Sequence, residues 1–383
     1  MVLFLGAPAH AQDGLDSAMG QAIFEREWAG APASTKSSDG LGPLFDARAC
    51  ASCHVKGGAG IATLSNTGSL IGTGMILRLG NADPAYADPV YGQQLQLRAL
   101  QGHAAEARAK LDWVERGDLR APHVQLDDFG YDALAGASKI SMRRAPSLKG
   151  ASLIARIPQD EILAREDVDD RDHDGISGRA NWFEDANGHR VLGRFGWKAS
   201  EPTLLDQSVR AFSRDLGLST PVLPAPWGEC TEREHTCRAA PHGGTLKRPE
   251  VSSALVGYVL DYLAILPPPN RASNDAGQQA FHKAGCDGCH AGPLLSDLLV
   301  HDMGEGLADG IAEGGAAPQE WRTAPLLDTA ASLQRGGLLH DARARSVSEA
   351  VSWHDGEAAR ARLHYHALSH KERTALDSYV KGE

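Results

Sequence analysis

What most constrains this chain is a five-residue string that occurs twice, Cys50-Ala-Ser-Cys53-His54 and Cys286-Asp-Gly-Cys289-His290. The spacing is that of covalent haem attachment. Two thiols form thioethers with the haem vinyl groups, and the adjacent histidine ligates the iron from the proximal side. Each copy follows a similar run, Leu44-Phe45-Asp46-Ala47-Arg48-Ala49 and Ala280-Phe281-His282-Lys283-Ala284-Gly285, with Phe five residues before the first Cys. These runs predict a helix leading into each motif. A thioredoxin-like redox pair or half of a zinc site is the alternative for a single copy. Two copies with matched upstream runs favour haem. The expectation is two covalent c-type haems, one on Cys50, Cys53 and His54, the other on Cys286, Cys289 and His290.

At 383 residues the chain is long enough for two domains with separate cores. A formal net charge of -11 and the lack of a Lys/Arg cluster argue against a nucleic-acid partner. An acidic surface suits a small basic electron donor, and equally serves solubility. Four of the six cysteines belong to the two motifs. The other two, Cys230 and Cys237, bound a polar loop and are expected to form a local disulfide in an oxidising compartment, with a metal site including His235 as the alternative. Residues 1–11 end in an A-x-A-like site at Ala9-His10-Ala11 and read as the remnant of a secretory signal peptide. Covalent haem is assembled outside the cytoplasm, so the expected compartment is the periplasm. No apolar run reaches 18 residues, so no membrane span is expected.

The coarse pattern predicts a mainly α fold. A short helix is expected around Ala18 to Trp28, and extended segments at Gly74 to Leu79 and Val191 to Trp197. Tyr91 to Arg120 reads as polar and poorly periodic. The firmest helix is Glu250 to Leu266, with Leu255, Val259, Tyr262, Leu263 and Leu266 on one face and Pro267-Pro268-Pro269 to stop it. In the second half Ser346…Glu349 and Ser369…Glu372 open two more helices as capping boxes, the first running through Trp353 and His354. Arg144-Ala-Pro146-Ser-Leu148 after the first motif is echoed by Arg322-Thr-Ala-Pro325-Leu326 after the second. The expected organisation is therefore two cytochrome c-like domains. One spans residues 12–269, with a large irregular insertion containing some β structure, and the other spans 270–383.

The order of these strings resembles that of the bacterial di-haem cytochrome c peroxidase and methylamine-utilisation di-haem enzyme superfamily. Within it the chain is most similar to the di-haem oxidoreductase family. The stretches that carry the likeness include Gly40-Leu-Gly-Pro-Leu-Phe to His54, Asp172-His-Asp-Gly-Ile-Ser-Gly-Arg179, Gly193-Arg-Phe-Gly-Trp-Lys-Ala199, His301-Asp-Met-Gly-Glu-Gly and Leu339-His-Asp341. The resemblance implies a Trp between the haems, here Trp197, and a Gln ten residues on, here Gln207. It also implies an acid beside the first haem, for which Asp215 is the candidate, although Asp replaces the family's Glu. The helix after His340-Asp-Ala-Arg343 would place the distal ligand of the second haem at His354, with His340, His301 and Met303 as rivals. The first iron would be left open, with Met75 or His103 as groups that could approach it.

That arrangement implies a peroxidase-type oxidoreductase using hydrogen peroxide or another small oxidant. Cleaving a peroxide at iron needs an open coordination position, a carboxyl to move a proton (Asp215), a hydrogen-bonding side chain (Gln207) and an electron relay (Trp197). Electrons would come from a small redox protein through the second haem. A pure electron carrier, or an enzyme oxidising a protein or organic substrate, is the alternative. Separately, Asp170, Asp172 and Asp174 with Gly175 match the start of a calcium loop, though the twelfth position is Asn181 and not Glu.

Overall fold

The structure, a computed structural model, describes residues 9–64, 70–71 and 74–383. It is 31% helix and 18% strand, a mixed α/β fold and not the mainly α fold expected. The extra strand lies largely in the first half. Arg108–Arg116 and Leu119–Asp127 form a long antiparallel hairpin across Gly117-Asp118. Its inward residues Ala109, Leu111 and Ala121 alternate with charged ones, a period-2 signal hidden in a segment that reads as merely polar. Nearby, Lys139–Arg144, Met75–Gly80 and Gln94–Leu95 make a three-stranded sheet in that order.

Each half opens and closes on a helix, and in each half the two helices cross at a glycine. Ala9–Glu25 packs against Ser253–Ile265, where a Cβ on Gly20 would fall 1.8 Å from the carbonyl oxygen of Tyr258. Asp275–Ala284 packs against His370–Lys381, where a Cβ on Gly277 would fall 2.4 Å from the carbonyl oxygen of Ala375. Local chemistry fixes the helix ends. Ser252 accepts from the Leu255 amide at the start of the first closing helix, and Ser369 with Glu372 forms a full capping box at the start of the second. The first core gathers Ile23, Phe24, Phe45, Phe212, Val259 and Leu263; the second gathers Phe281, Ala284, Tyr365, Leu376 and Val380. Burying each large apolar side chain stabilises its half by roughly 1.5–3 kcal/mol.

A helix delivers the second motif but not the first. Asp275–Ala284 ends at Gly285, whose φ of 76° is the left-handed stop, and Cys286 follows at once. Before Cys50 the chain is extended, with Leu44–Phe45 paired to Arg98–Ala99. There the amides of Asp46 and Ala47 both donate to the carbonyl of Asp215, at 2.8 and 3.0 Å, and are not available to close a helical turn. The helix carrying the first motif covers only Cys50–Cys53.

Arg144-Ala-Pro146 and Arg322-Thr-Ala-Pro325, one residue different in spacing, each begin where a strand pair ends. Arg144 pairs with Met75, and Arg322 pairs with Val300. Among the described residues no helix is long and apolar enough to cross a membrane. The apolar start of the expected signal segment lies outside the described residues, while Ala9 to Ala11 belong to the first helix.

Candidate haem cavity

Both motifs line one continuous cavity of about 720 Å³. Cys50 and His54 reach it from one half, Cys286, Cys289 and His290 from the other, with Trp197, Gln207 and His354 also on its wall. The four motif cysteines are half-buried and outside any disulfide. Burial pushes the Cys50 thiol up to about 12, helped by Asp215, and the Cys286 thiol to about 12, helped by Asp287. A thiol held protonated is the reverse of a reactive thiolate, so thiol–disulfide chemistry does not suit these pairs. Paired thiols with an adjacent imidazole on a large, mostly apolar cavity are a donor set that fits haem.

The two proximal histidines are held differently. His290 Nδ1 lies 2.9 Å from the Leu295 carbonyl oxygen, which leaves Nε2 for a ligand. His354 sits just past the Val347–Ser352 helix, capped by Ser346, and its Nδ1 lies 2.6 Å from the Ala350 carbonyl oxygen. Burial pulls His354 down to about 4, and the charge of nearby His290 pulls the same way. The second motif is thus faced by a neutral, anchored imidazole whose Nε2 is also spare. His54 Nδ1 is buried without a hydrogen-bond partner of good geometry, and burial holds this ring at about 4 against the backbone of Gly58 and Pro146.

The rival ligands are otherwise engaged. His301 has both ring nitrogens taken, Nε2 at 2.9 Å from Asp297 and Nδ1 at 2.7 Å from Glu357. Burial alone would lower its pKa, but hydrogen bonds to Asp297, Cys289 and Glu357 override that and hold it at about 12. His340 is stacked flat on Trp321 with ring centroids 3.8 Å apart. Met303 lines the cavity, whereas Met75 and His103 do not.

Trp197 is clamped between Arg144 and Arg322, the first residues of the two echoing strings. Its indole N–H donates to the Arg144 carbonyl at 2.7 Å, and its own carbonyl accepts from the Arg322 amide at 3.0 Å. The next residue, Lys198, is fully buried, its ammonium bonded to the carbonyls of Ala317, Pro318 and Glu320. Gln207 comes from the Leu204–Leu216 helix, which Thr203 caps and Gly217 ends. Asp215, on the last turn of that helix, does not reach the cavity. It faces Asp46 across one amide: Gln94 Nε2 donates to Asp215 at 2.7 Å and to Asp46 at 2.9 Å. Burial lifts Asp215 to about 6, and burial together with Asp215 lifts Asp46 to about 8. Sequence reasoning missed Asp46, and its only signal was its place four residues before Cys50. It also missed Arg335, which reaches from the second half to the carbonyls of Ala59 and Val55 just after the first motif.

Asp170, Asp172 and Asp174 bring carboxylate oxygens within 4.8 Å of one another. Asn181 turns away, its amide donating to the Lys198 and Glu313 carbonyls in the interior. Ile176 of this loop packs on the second motif, and the Ser177 amide donates to Glu357. Cys230 and Cys237 are disulfide-bonded, with Cα atoms 6.3 Å apart.

The family model described as "Di-haem oxidoreductase, putative peroxidase" matches residues 128–295 and 270–382. The chain belongs to that family. It is therefore an oxidoreductase with haem cofactors. No curated protein matches it. Among solved structures it is similar to hydrazine synthase of Kuenenia stuttgartiensis pressurized with xenon, at 14% identity over 100% of this chain and 98% of that one. The TM-score is 0.36, too low to carry the fold or chemistry of that enzyme to this di-haem oxidoreductase.

Proposed function

We propose that this di-haem oxidoreductase is a periplasmic peroxidase-type enzyme with two covalent c-type haems in two cytochrome c-like units, residues 12–269 and 270–383. Cys50 and Cys53 would hold the first haem with His54 on its iron. Cys286 and Cys289 would hold the second, with His290 and His354 on its iron. Haem bound at the two sites would supply the redox chemistry, with an oxidant met at the first and an electron held at the second. The observation that carries the reading is Trp197, fixed on a cavity that both motifs line and bonded to Arg144 of one half and Arg322 of the other.

The chain's own groups divide the work. Gln207 offers its side-chain amide to a peroxide on the cavity wall. Asp215 stands behind that wall, so its part is to keep a proton with Asp46 close to the first motif. Trp197 offers an oxidisable indole between the halves. Electrons come from a small redox protein, and a calcium ion on Asp170, Asp172 and Asp174 steadies the loop against the second motif.

Reduction of hydrogen peroxide consumes two electrons and two protons and yields two waters. The test is to mix the fully reduced holoprotein with one equivalent of hydrogen peroxide and follow both haems optically. Loss of two reducing equivalents per peroxide is expected; haems that stay reduced would overturn the reading.

A further inference from the structure

A second cavity, of about 280 Å³, lies beneath the Leu119–Asp127 strand. It runs from exposed His123 inward to buried Asp341 and His340 and to Asp309, whose carboxylate is 4% exposed. His340 is the one described residue that lines both this cavity and the larger one. We propose that the outer cavity is the entry port for a small neutral polar oxidant with the size and hydrogen-bonding character of hydrogen peroxide, and that His340 is the gate in the shared wall. The identity of the oxidant rests on the peroxidase-type reading; the route does not.

Three observations converge on this port. Its volume of about 280 Å³ leaves ample room for a molecule of a few heavy atoms. Its buried charges are matched. Asp309 is paired with Arg143 at 2.7 Å and Lys198 at 3.3 Å, and Asp341 is paired with Arg343 at 2.7 Å. An ion would therefore gain no counter-charge here, while a neutral hydrogen-bonding molecule finds a polar wall. The inner end opens beside the candidate relay, since the His340 ring meets Trp197 edge-on with centroids 6.5 Å apart. His340 Nε2 is 3.5 Å from Asp341, too long for a strong hydrogen bond. Stacking on Trp321 holds the ring, and a turn about its side-chain bonds would join the two cavities.

The test uses the holoprotein and two plugs placed on different elements, Ala308→Phe and Val124→Trp, with the haem-to-protein ratio and resting spectrum as folding controls. Cyanide binding to the ferric protein and the reaction with hydrogen peroxide are followed by stopped flow. A port changes the path and not the end state, so cyanide association and dissociation should both slow by about tenfold with Kd unchanged. The peroxide reaction should slow in step, and His340→Ala should speed all three. Wild-type rates in the plugged variants overturn the port, even where peroxide is consumed. Slowed cyanide exchange without any peroxide consumption leaves the port standing and removes the peroxidase reading instead. If one plug fails to load haem, the other decides.

Discussion

The two C-x-x-C-H strings share a pattern and differ in almost everything around it. At the second, two imidazoles each spend Nδ1 on a main-chain carbonyl, His290 on Leu295 and His354 on Ala350, which leaves Nε2 of each for a ligand. At the first, His54 lacks that anchor. The cavity wall also carries Gln207 and Trp197, and a buried carboxyl pair, Asp46 and Asp215, lies close before and beside the first motif in the fold. A site closed by a second anchored histidine suits electron storage. A site without one suits binding of an oxidant.

The bluntest way to break this comparison is to remove one haem at a time. Cys50→Ser with Cys53→Ser, or Cys286→Ser with Cys289→Ser, should each halve the covalent haem measured by pyridine haemochrome. Only the first pair should abolish ligand binding to the ferric protein. His354→Ala comes next: the second haem should change from low-spin to high-spin and begin to bind cyanide, as an iron that has lost one of two imidazoles would.

Trp197→Phe keeps an aromatic ring but loses the indole and its bond to Arg144. Electron transfer between the halves, read as reoxidation of the second haem after peroxide, should slow by about tenfold at unchanged haem content.

Two smaller effects sharpen the likeness of the halves. Gly20→Ala and Gly277→Ala each force a methyl into a facing carbonyl. Each should lower stability by about 1–3 kcal/mol in thermal melts, more at Gly20 where the approach is closer. The last concerns Asp46, whose carboxyl rises from 3.8 to about 8 on folding. The native state keeps a proton that the unfolded chain has already lost in that window. Stability is therefore fully present below about pH 4 and is lost as pH rises toward 8. Asp46→Asn should flatten that slope, leaving the variant more stable than the parent at pH 8 by about 1 kcal/mol or more in denaturant titrations.

Local signals were legible where one residue type has one use. The paired motifs, the Ser253–Ile265 helix ahead of three prolines and the Ser369–Glu372 cap could all be read from the chain alone, as could the strand at Met75–Gly80. The Arg108–Asp127 hairpin could not, because its apolar residues alternate singly with charged ones and the segment reads as merely polar. The helix expected before Cys50 failed for a tertiary reason, since its amides are claimed by Asp215, far away in sequence. The same distance hid the Asp46–Gln94–Asp215 cluster, whose three members come from separate elements. Trp197 could be named from its string, but its clamp between Arg144 and Arg322 depends on how two repeats meet in space.

The most direct measurement is the electron paramagnetic resonance spectrum of the oxidised holoprotein, with optical spectra before and after cyanide. One high-spin and one low-spin ferric signal, with only the high-spin signal converted by cyanide, is the result this account predicts. Two low-spin signals indifferent to cyanide would contradict it, because both irons would then be closed and the difference between the two sites would have no chemical consequence.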